Sequence, residues 1–152
     1  MHAWAPTIVT ARTCPAASSN NGMGVLGIGF DLVAVSEFAE QLKRPGTAML
    51  DNFTPGERRD ANTRSSDPAR HFAARWAAKE AVIKAWSTAL FASPPVLGEM
   101  IHNQIEVVSD AWGRPSIRLR GDVAQHLTDV KIHISLTHDG DMAGAFAVIE
   151  SL

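Results

Sequence analysis

Apolar and polar positions change period several times along this chain, and each change marks an element. Residues 25–35 (VLGIGFDLVAV) are an apolar, β-rich run interrupted only by Gly27, Gly29 and one acid, Asp31. That pattern predicts a buried strand whose glycines admit a close backbone neighbour. Residues 36–44 then read as a short amphipathic helix, stopped by Pro45-Gly46. Thr54-Pro55-Gly56-Glu57 opens a second helix: Thr54 caps, Pro55 suits the first helical position and Glu57 completes a capping box. The polar stretch 62–67 predicts a loop, and Asp67-Pro68 repeats the cap-plus-proline signal to open the longest helix, through about Leu90. Its alanines, with Phe72 and Trp76 four apart, make a packing face.

Beyond Pro94-Pro95 the period falls to two. Residues 104–109 and 115–120 predict two strands joined by a turn over 110–114, and 121–127 a short helix. Residues 130–137 alternate, with Ile132, Ile134 and Leu136 on one face and His133, Ser135 and Thr137 on the other. Asp139-Gly140 turns the chain into an apolar return strand over 142–149. Helices fill the first half and strands mostly the second, which makes the fold class α+β.

Composition adds boundaries. The 152 residues are 45% hydrophobic and 20% charged, as expected of one soluble globular unit. Residues 1–22 are rich in Ala, Ser, Thr, Pro and Asn without a basic start and apolar core, so they predict a flexible extension rather than a signal, with a single domain over 23–152. The single cysteine, Cys14, forms no intramolecular disulfide and fits a reducing, cytoplasmic setting. A net charge of −2 argues against a general nucleic-acid binder, and no apolar run approaches a membrane span.

Three places carry candidate chemistry. On the longest helix Arg75, Lys79, Glu80 and Lys84 crowd together, with Glu80 and Lys84 four apart. A carboxylate suits Mg²⁺ and the cations suit phosphates, yet the same spacing is an ordinary exposed helix pair. Asp31 is costly to bury without a cation or donors, or else it is a strand-end acid accepting backbone hydrogen bonds. By parity His138 shares the face of Ile132, Ile134 and Leu136, which favours a satisfied core histidine. Asp139 before Gly140 reads first as a turn residue. Taken together they offer two carboxylates for a metal, cations for phosphates and a histidine.

Four stretches in order, GIGFDLV (27–33), FTPGER (53–58), FAARWAAKEAVIKA (72–85) and ISLTHDGDMAGAFAVIE (134–150), resemble the signatures of holo-[acyl-carrier-protein] synthases, which are 4′-phosphopantetheinyl transferases. The resemblance covers residues 23–150. It implies a small antiparallel sheet packed on a long central helix, and Mg²⁺-dependent transfer of phosphopantetheine from coenzyme A to a carrier-protein serine in fatty acid biosynthesis. It implies Asp31 and Glu80 as magnesium ligands, and Lys84 at the coenzyme A diphosphate, assisting the leaving group. Arg75, Lys79, Thr88 and His138 would lie along the coenzyme. Glu80, directly or through water, would be the base, with Asp139 or His138 as alternatives. It also implies a homotrimer with sites at subunit interfaces, and an acyl carrier protein or a fatty-acid synthase carrier domain as partner. Three positions in two places depart from the pattern. Glu37 stands where the family usually has a carrier-facing arginine, which shifts docking to Lys43, Arg44 or arginines near Arg58 and fits an unusual carrier. Ser87 and Ala89 replace glycines of a K-A-x-G-T-G run. A phosphohydrolase and a non-catalytic coenzyme A-binding trimer are the alternatives these residues allow.

Overall fold

The computed structural model describes residues 24–98 and 100–152. The expected N-terminal extension, Met23 and Cys14 lie outside the described residues. The elements run β1 (Val25–Ala34), α1 (Val35–Lys43), α2 (Pro55–Arg64), α3 (Pro68–Ala89), β2 (Ile105–Ser109), β3 (Pro115–Leu119), α4 (Gly121–His126), β4 (Val130–Asp139) and β5 (Met142–Ser151). Short 3₁₀ turns at Met49–Asn52 and His102–Gln104 precede α2 and β2. One antiparallel sheet has the order β1-β5-β4, and β2 and β3 form a separate hairpin.

The helix starts follow the sequence closely. Thr54 accepts from the Glu57 backbone and the Glu57 carboxylate accepts from the Thr54 backbone, so the capping box is complete. Asp67 caps α3 through Arg70, and Pro68 occupies the first turn. α2 runs further than expected, to Arg64, because its polar end helps itself: Thr63 donates to the Arg59 carbonyl and Arg64 pairs with Asp60. The helix α1 begins one residue early. It has no cap of its own at Ala34. Instead Asp141, in the β4–β5 turn, accepts from the Ser36 backbone at 3.0 Å and from the Ser36 hydroxyl, across 105 residues of sequence.

The long helix α3 lies against one face of the sheet, chiefly on β1 and β5. Two glycines let it come unusually close. A Cβ at Gly29 would stand on the Ala81 carbonyl oxygen and 2.6 Å from the Ala85 nitrogen; one at Gly27 would stand on the Ala85 carbonyl oxygen. Ala77, Ala78, Ala81 and Ala85 supply the matching small surface and are fully buried. The Thr88 hydroxyl closes the contact, donating to the Ile28 carbonyl at 3.0 Å.

The expectation of a wholly buried first strand is corrected here. Among the described residues only its glycine-bearing face is covered, and Ile28, Phe30 and Leu32 on the other face are about half exposed. The described helices lie on one side of this sheet, so alternation sends the large residues to the other. On β5, Phe146 and Met142 share that uncovered face. A second core lies under α1 and α2, where Phe38 and Phe72 pack on Phe53.

Gly29→Ala is expected to cost at least about 3 kcal/mol, because the clash is with backbone and cannot be relieved by a rotamer change. Urea denaturation checks this; an unchanged midpoint would mean that the helix and strand are not in backbone contact.

Candidate active site

Three expected residues meet where β1 rests on α3. Lys84 donates from Nζ to Asp31 Oδ1 at 2.7 Å and to the Phe30 carbonyl at 3.2 Å. The Asp31 side chain is 14% exposed and that of Lys84 51%, so a recessed acid is met by a cation reaching in from the rim. Burial pushes the Asp31 carboxyl above its ordinary range; Lys84 pulls it down and the nearby Glu80 charge pushes it up. An open cleft of about 260 Å³ joins Asp31 to Glu80, lined also by Glu37, Gln41 and Trp76. Three acids line this cleft, Asp31, Glu37 and Glu80, with the Lys84 amine bound to Asp31, an arrangement that gains from a further cation.

Glu80 has a partner the sequence did not signal. Nε2 of His102 lies 2.6 Å from Glu80 Oε1. The histidine comes from a short polar turn with no periodic pattern, so only the fold places it.

Lys79 is a correction. Its ammonium is fully enclosed and donates to Glu57 Oε2 at 2.9 Å, the His102 carbonyl at 2.9 Å and the Ile105 carbonyl at 2.5 Å. All three of its hydrogens are used, so nothing remains for a coenzyme. Burial lowers its pKa, and the Glu57 charge opposes that shift. Thr88 is likewise spent on the helix–strand contact through the Ile28 backbone. Arg75 is buried towards α2, and its Nε has no partner among the described residues. It does not line the Asp31 cleft.

The histidine and acid of β4 do not join this group within one chain. His138 pairs in register with Ala143, and Asp139 with Met142, on β5. β5 also pairs with β1, so two strand spacings, about 10 Å, separate His138 from the strand of Asp31. His138 keeps the expected parity but is exposed rather than a satisfied core residue.

A larger cleft of about 770 Å³ opens between α2 and the β2–β3 hairpin, with Arg58, Arg59, Arg64, Arg118 and Arg120 in its lining. Its buried acids are already engaged. Glu57 holds Lys79 and the Val107 backbone. Burial pushes the Glu106 carboxyl up, but hydrogen bonds from Arg120 and Thr54 outweigh that and hold it below the ordinary range. Its outer acids Asp51 and Asp60 pair with Arg58 and Arg64, so this cleft is rich in arginine and has no free acid pair. Among the described residues no three His, Cys, Asp or Glu side chains gather to hold a metal.

Residues 27–147 match the family model of the 4′-phosphopantetheinyl transferase superfamily. A holo-[acyl-carrier-protein] synthase of Mycobacterium ulcerans is 63% identical over 129 residues, covering 85% of this chain and 99% of that protein. The solved acyl carrier protein synthase of Mycobacterium tuberculosis aligns with a TM-score of 0.72 at 56% identity, covering 85% of this chain and 100% of that one. A coenzyme A complex of the Chronobacterium ammoniagenes protein aligns at 0.79 and 43%, covering 87% and 99%.

Two stability outcomes follow from this geometry. Lys79→Ala leaves Glu57 buried without its cation and is expected to cost about 3–5 kcal/mol; denaturant titration against the double variant Lys79→Met/Glu57→Gln, expected to recover part of that loss, checks it. His71, whose Nε2 has no partner among the described residues, has its pKa lowered from 6.5 to about 4 by burial and by the Arg75 charge, against a smaller pull from Asp60. The unfolded chain therefore takes up a proton the folded chain refuses. Its contribution to stability is full above pH 6.5 and declines as pH falls towards 4. Urea midpoints measured across that window should fall less steeply in His71→Gln.

Proposed function

Because this chain belongs to the 4′-phosphopantetheinyl transferase superfamily, we propose that the cleft between β1 and α3 is its transfer site, with Asp31 and Glu80 as the acids that hold Mg²⁺. The activity is that of a holo-[acyl-carrier-protein] synthase. The hydroxyl of a carrier-protein serine attacks the β-phosphorus of coenzyme A. A new oxygen–phosphorus bond forms, the pyrophosphate link breaks, and adenosine 3′,5′-bisphosphate leaves.

The observation that carries the site is the meeting of groups from two elements: Asp31 and Glu80 line one cleft, and Lys84 binds Asp31. The donor set fits Mg²⁺: hard carboxylate oxygens, one of them protonated more readily than usual because burial and a neighbouring acid oppose its charge. Two carboxylates suffice, since this ion takes its other ligands from water and substrate phosphates. When bound, Mg²⁺ would neutralise charge on the diphosphate.

The chain's own groups account for the rest. Lys84, half exposed and tethered to Asp31, is long enough to turn its ammonium to the departing phosphate and offset the charge growing there. Glu80, in the cleft, is the first choice to take the serine proton.

His138 and Asp139 enter through assembly. The uncovered sheet face bearing Ile28, Phe30, Leu32 and Phe146 is a contiguous apolar surface of the kind that marks an interface. A homotrimer joined there would bring His138 of one protomer beside the cleft of the next, which the span across β5 prevents within a chain. The arginine-lined cleft beside α2 offers the basic surface that an acidic carrier protein needs, in place of the reversed charge at Glu37. The carrier is an acyl carrier protein or the carrier domain of a fatty-acid synthase, and the lone Cys14 agrees with a cytoplasmic setting. Among the described residues no helix is long and apolar enough to cross a membrane.

Asp31→Ala and Glu80→Ala are each expected to lower kcat by at least about 100-fold with the fold and assembly intact. Chromatographic release of adenosine 3′,5′-bisphosphate checks this, and near-normal turnover in either variant would remove the assignment. Phe146→Glu is expected to give monomers by light scattering; an unchanged mass would exclude this sheet face as the interface.

A further inference from the structure

Glu80 is held from behind by a side chain that is itself fixed in three ways. Nε2 of His102 sits 2.6 Å from Glu80 Oε1. The imidazole lies flat on the Trp76 indole, with ring centroids 4.4 Å apart and planes 8° from parallel. The backbone of the same residue is tied down by Lys79, which donates to the His102 carbonyl at 2.9 Å. That ammonium is fully enclosed and also bound to Glu57 and Ile105, so the turn carrying His102 is anchored to both α2 and α3. Trp76 in turn packs on Phe38 and Phe53. The imidazole therefore has little freedom, and neither has the carboxylate it touches.

An ionised Glu80 accepts this hydrogen bond, so Nε2 carries the hydrogen. The bond engages Oε1 only; Oε2 accepts none among the described residues. A glutamate on a helix surface otherwise samples several rotamers, and a ligand carboxylate loses that freedom when it binds a cation. Partners that hydrogen-bond a ligating group remove this cost in advance.

We propose that His102 is a positioning residue of the transfer site: its Nε2–H fixes the Glu80 carboxylate by Oε1 and presents Oε2 to the cation shared with Asp31. This rests on the reading of Asp31 and Glu80 as the metal-holding pair, and the test separates the two. Mn²⁺ is titrated into the full chain with coenzyme A present, and the free ion is read by electron paramagnetic resonance. His102→Phe keeps an aromatic ring on Trp76 but removes the donor. It is expected to weaken Mn²⁺ binding by about 10–100-fold, and His102→Gln, which restores an N–H donor, is expected to regain most of that loss. The Mg²⁺ concentration giving half-maximal transfer should move in parallel. Should the phenylalanine variant fail to fold, His102→Leu against His102→Gln carries the same contrast. Wild-type Mn²⁺ affinity in the variants lacking the donor, with binding lost in Glu80→Ala, would overturn the role of His102 and leave the metal pair standing. Equal binding by the wild type and Glu80→Ala would overturn the metal pair and the positioning role with it.

Discussion

The site depends on one backbone contact, that of α3 lying on β1 with no side chain between them at Gly27 and Gly29. Gly27 faces Ala85 and Gly29 faces Ala81. Two residues along a strand advance about 6.6 Å, and four residues along a helix about 6 Å. Strand and helix therefore stay in step in opposite directions. The same step carries the next inward residue, Asp31, one turn beyond Ala81 towards the N-terminus of α3, beside Glu80, and the Lys84 side chain reaches back along the helix to meet it. Asp31 thus meets its cation because of two hydrogens where other residues would carry a Cβ. The Thr88 hydroxyl fixes the same alignment from the other end of the contact.

A second constraint holds the far side of the helix. Lys79 and Glu57 are both fully enclosed, and a buried ion pair contributes little net stability because desolvation offsets attraction. Its effect here is one of position. Glu57 belongs at once to the capping box of α2, to Lys79 on α3 and to the Val107 backbone on β2. The three elements cannot slide without breaking it. The same ammonium sets the turn bearing His102, so an interior charge pair with no exposure to substrate still governs the orientation of Glu80 in the cleft.

Local chemistry made much of this legible in the sequence. The cap-plus-proline signals at Thr54 and Asp67, the alternation in 130–137 and the glycines beside Asp31 all express themselves within a few residues, and the elements appear where they point. What escaped is what the fold brings from afar. Asp141 caps α1 from 105 residues away. His102 reaches Glu80 out of an unpatterned turn, and Lys79, which the family resemblance put along the coenzyme, is consumed by the interior. The outward face of β1 was misread because an apolar run does not say whether a sheet is covered on one side or two. Asp31, Glu80 and Lys84 were legible as residues, and their meeting needed the glycine contact.

The most direct measurement is the intact mass of an apo acyl carrier protein after incubation with this chain, coenzyme A and Mg²⁺, beside a chelator control. The account predicts a mass gain of one phosphopantetheine per carrier, abolished by chelator. Coenzyme A cleaved with no gain on the carrier, or a gain that persists in chelator, would contradict a metal-assisted transfer at the Asp31–Glu80 cleft.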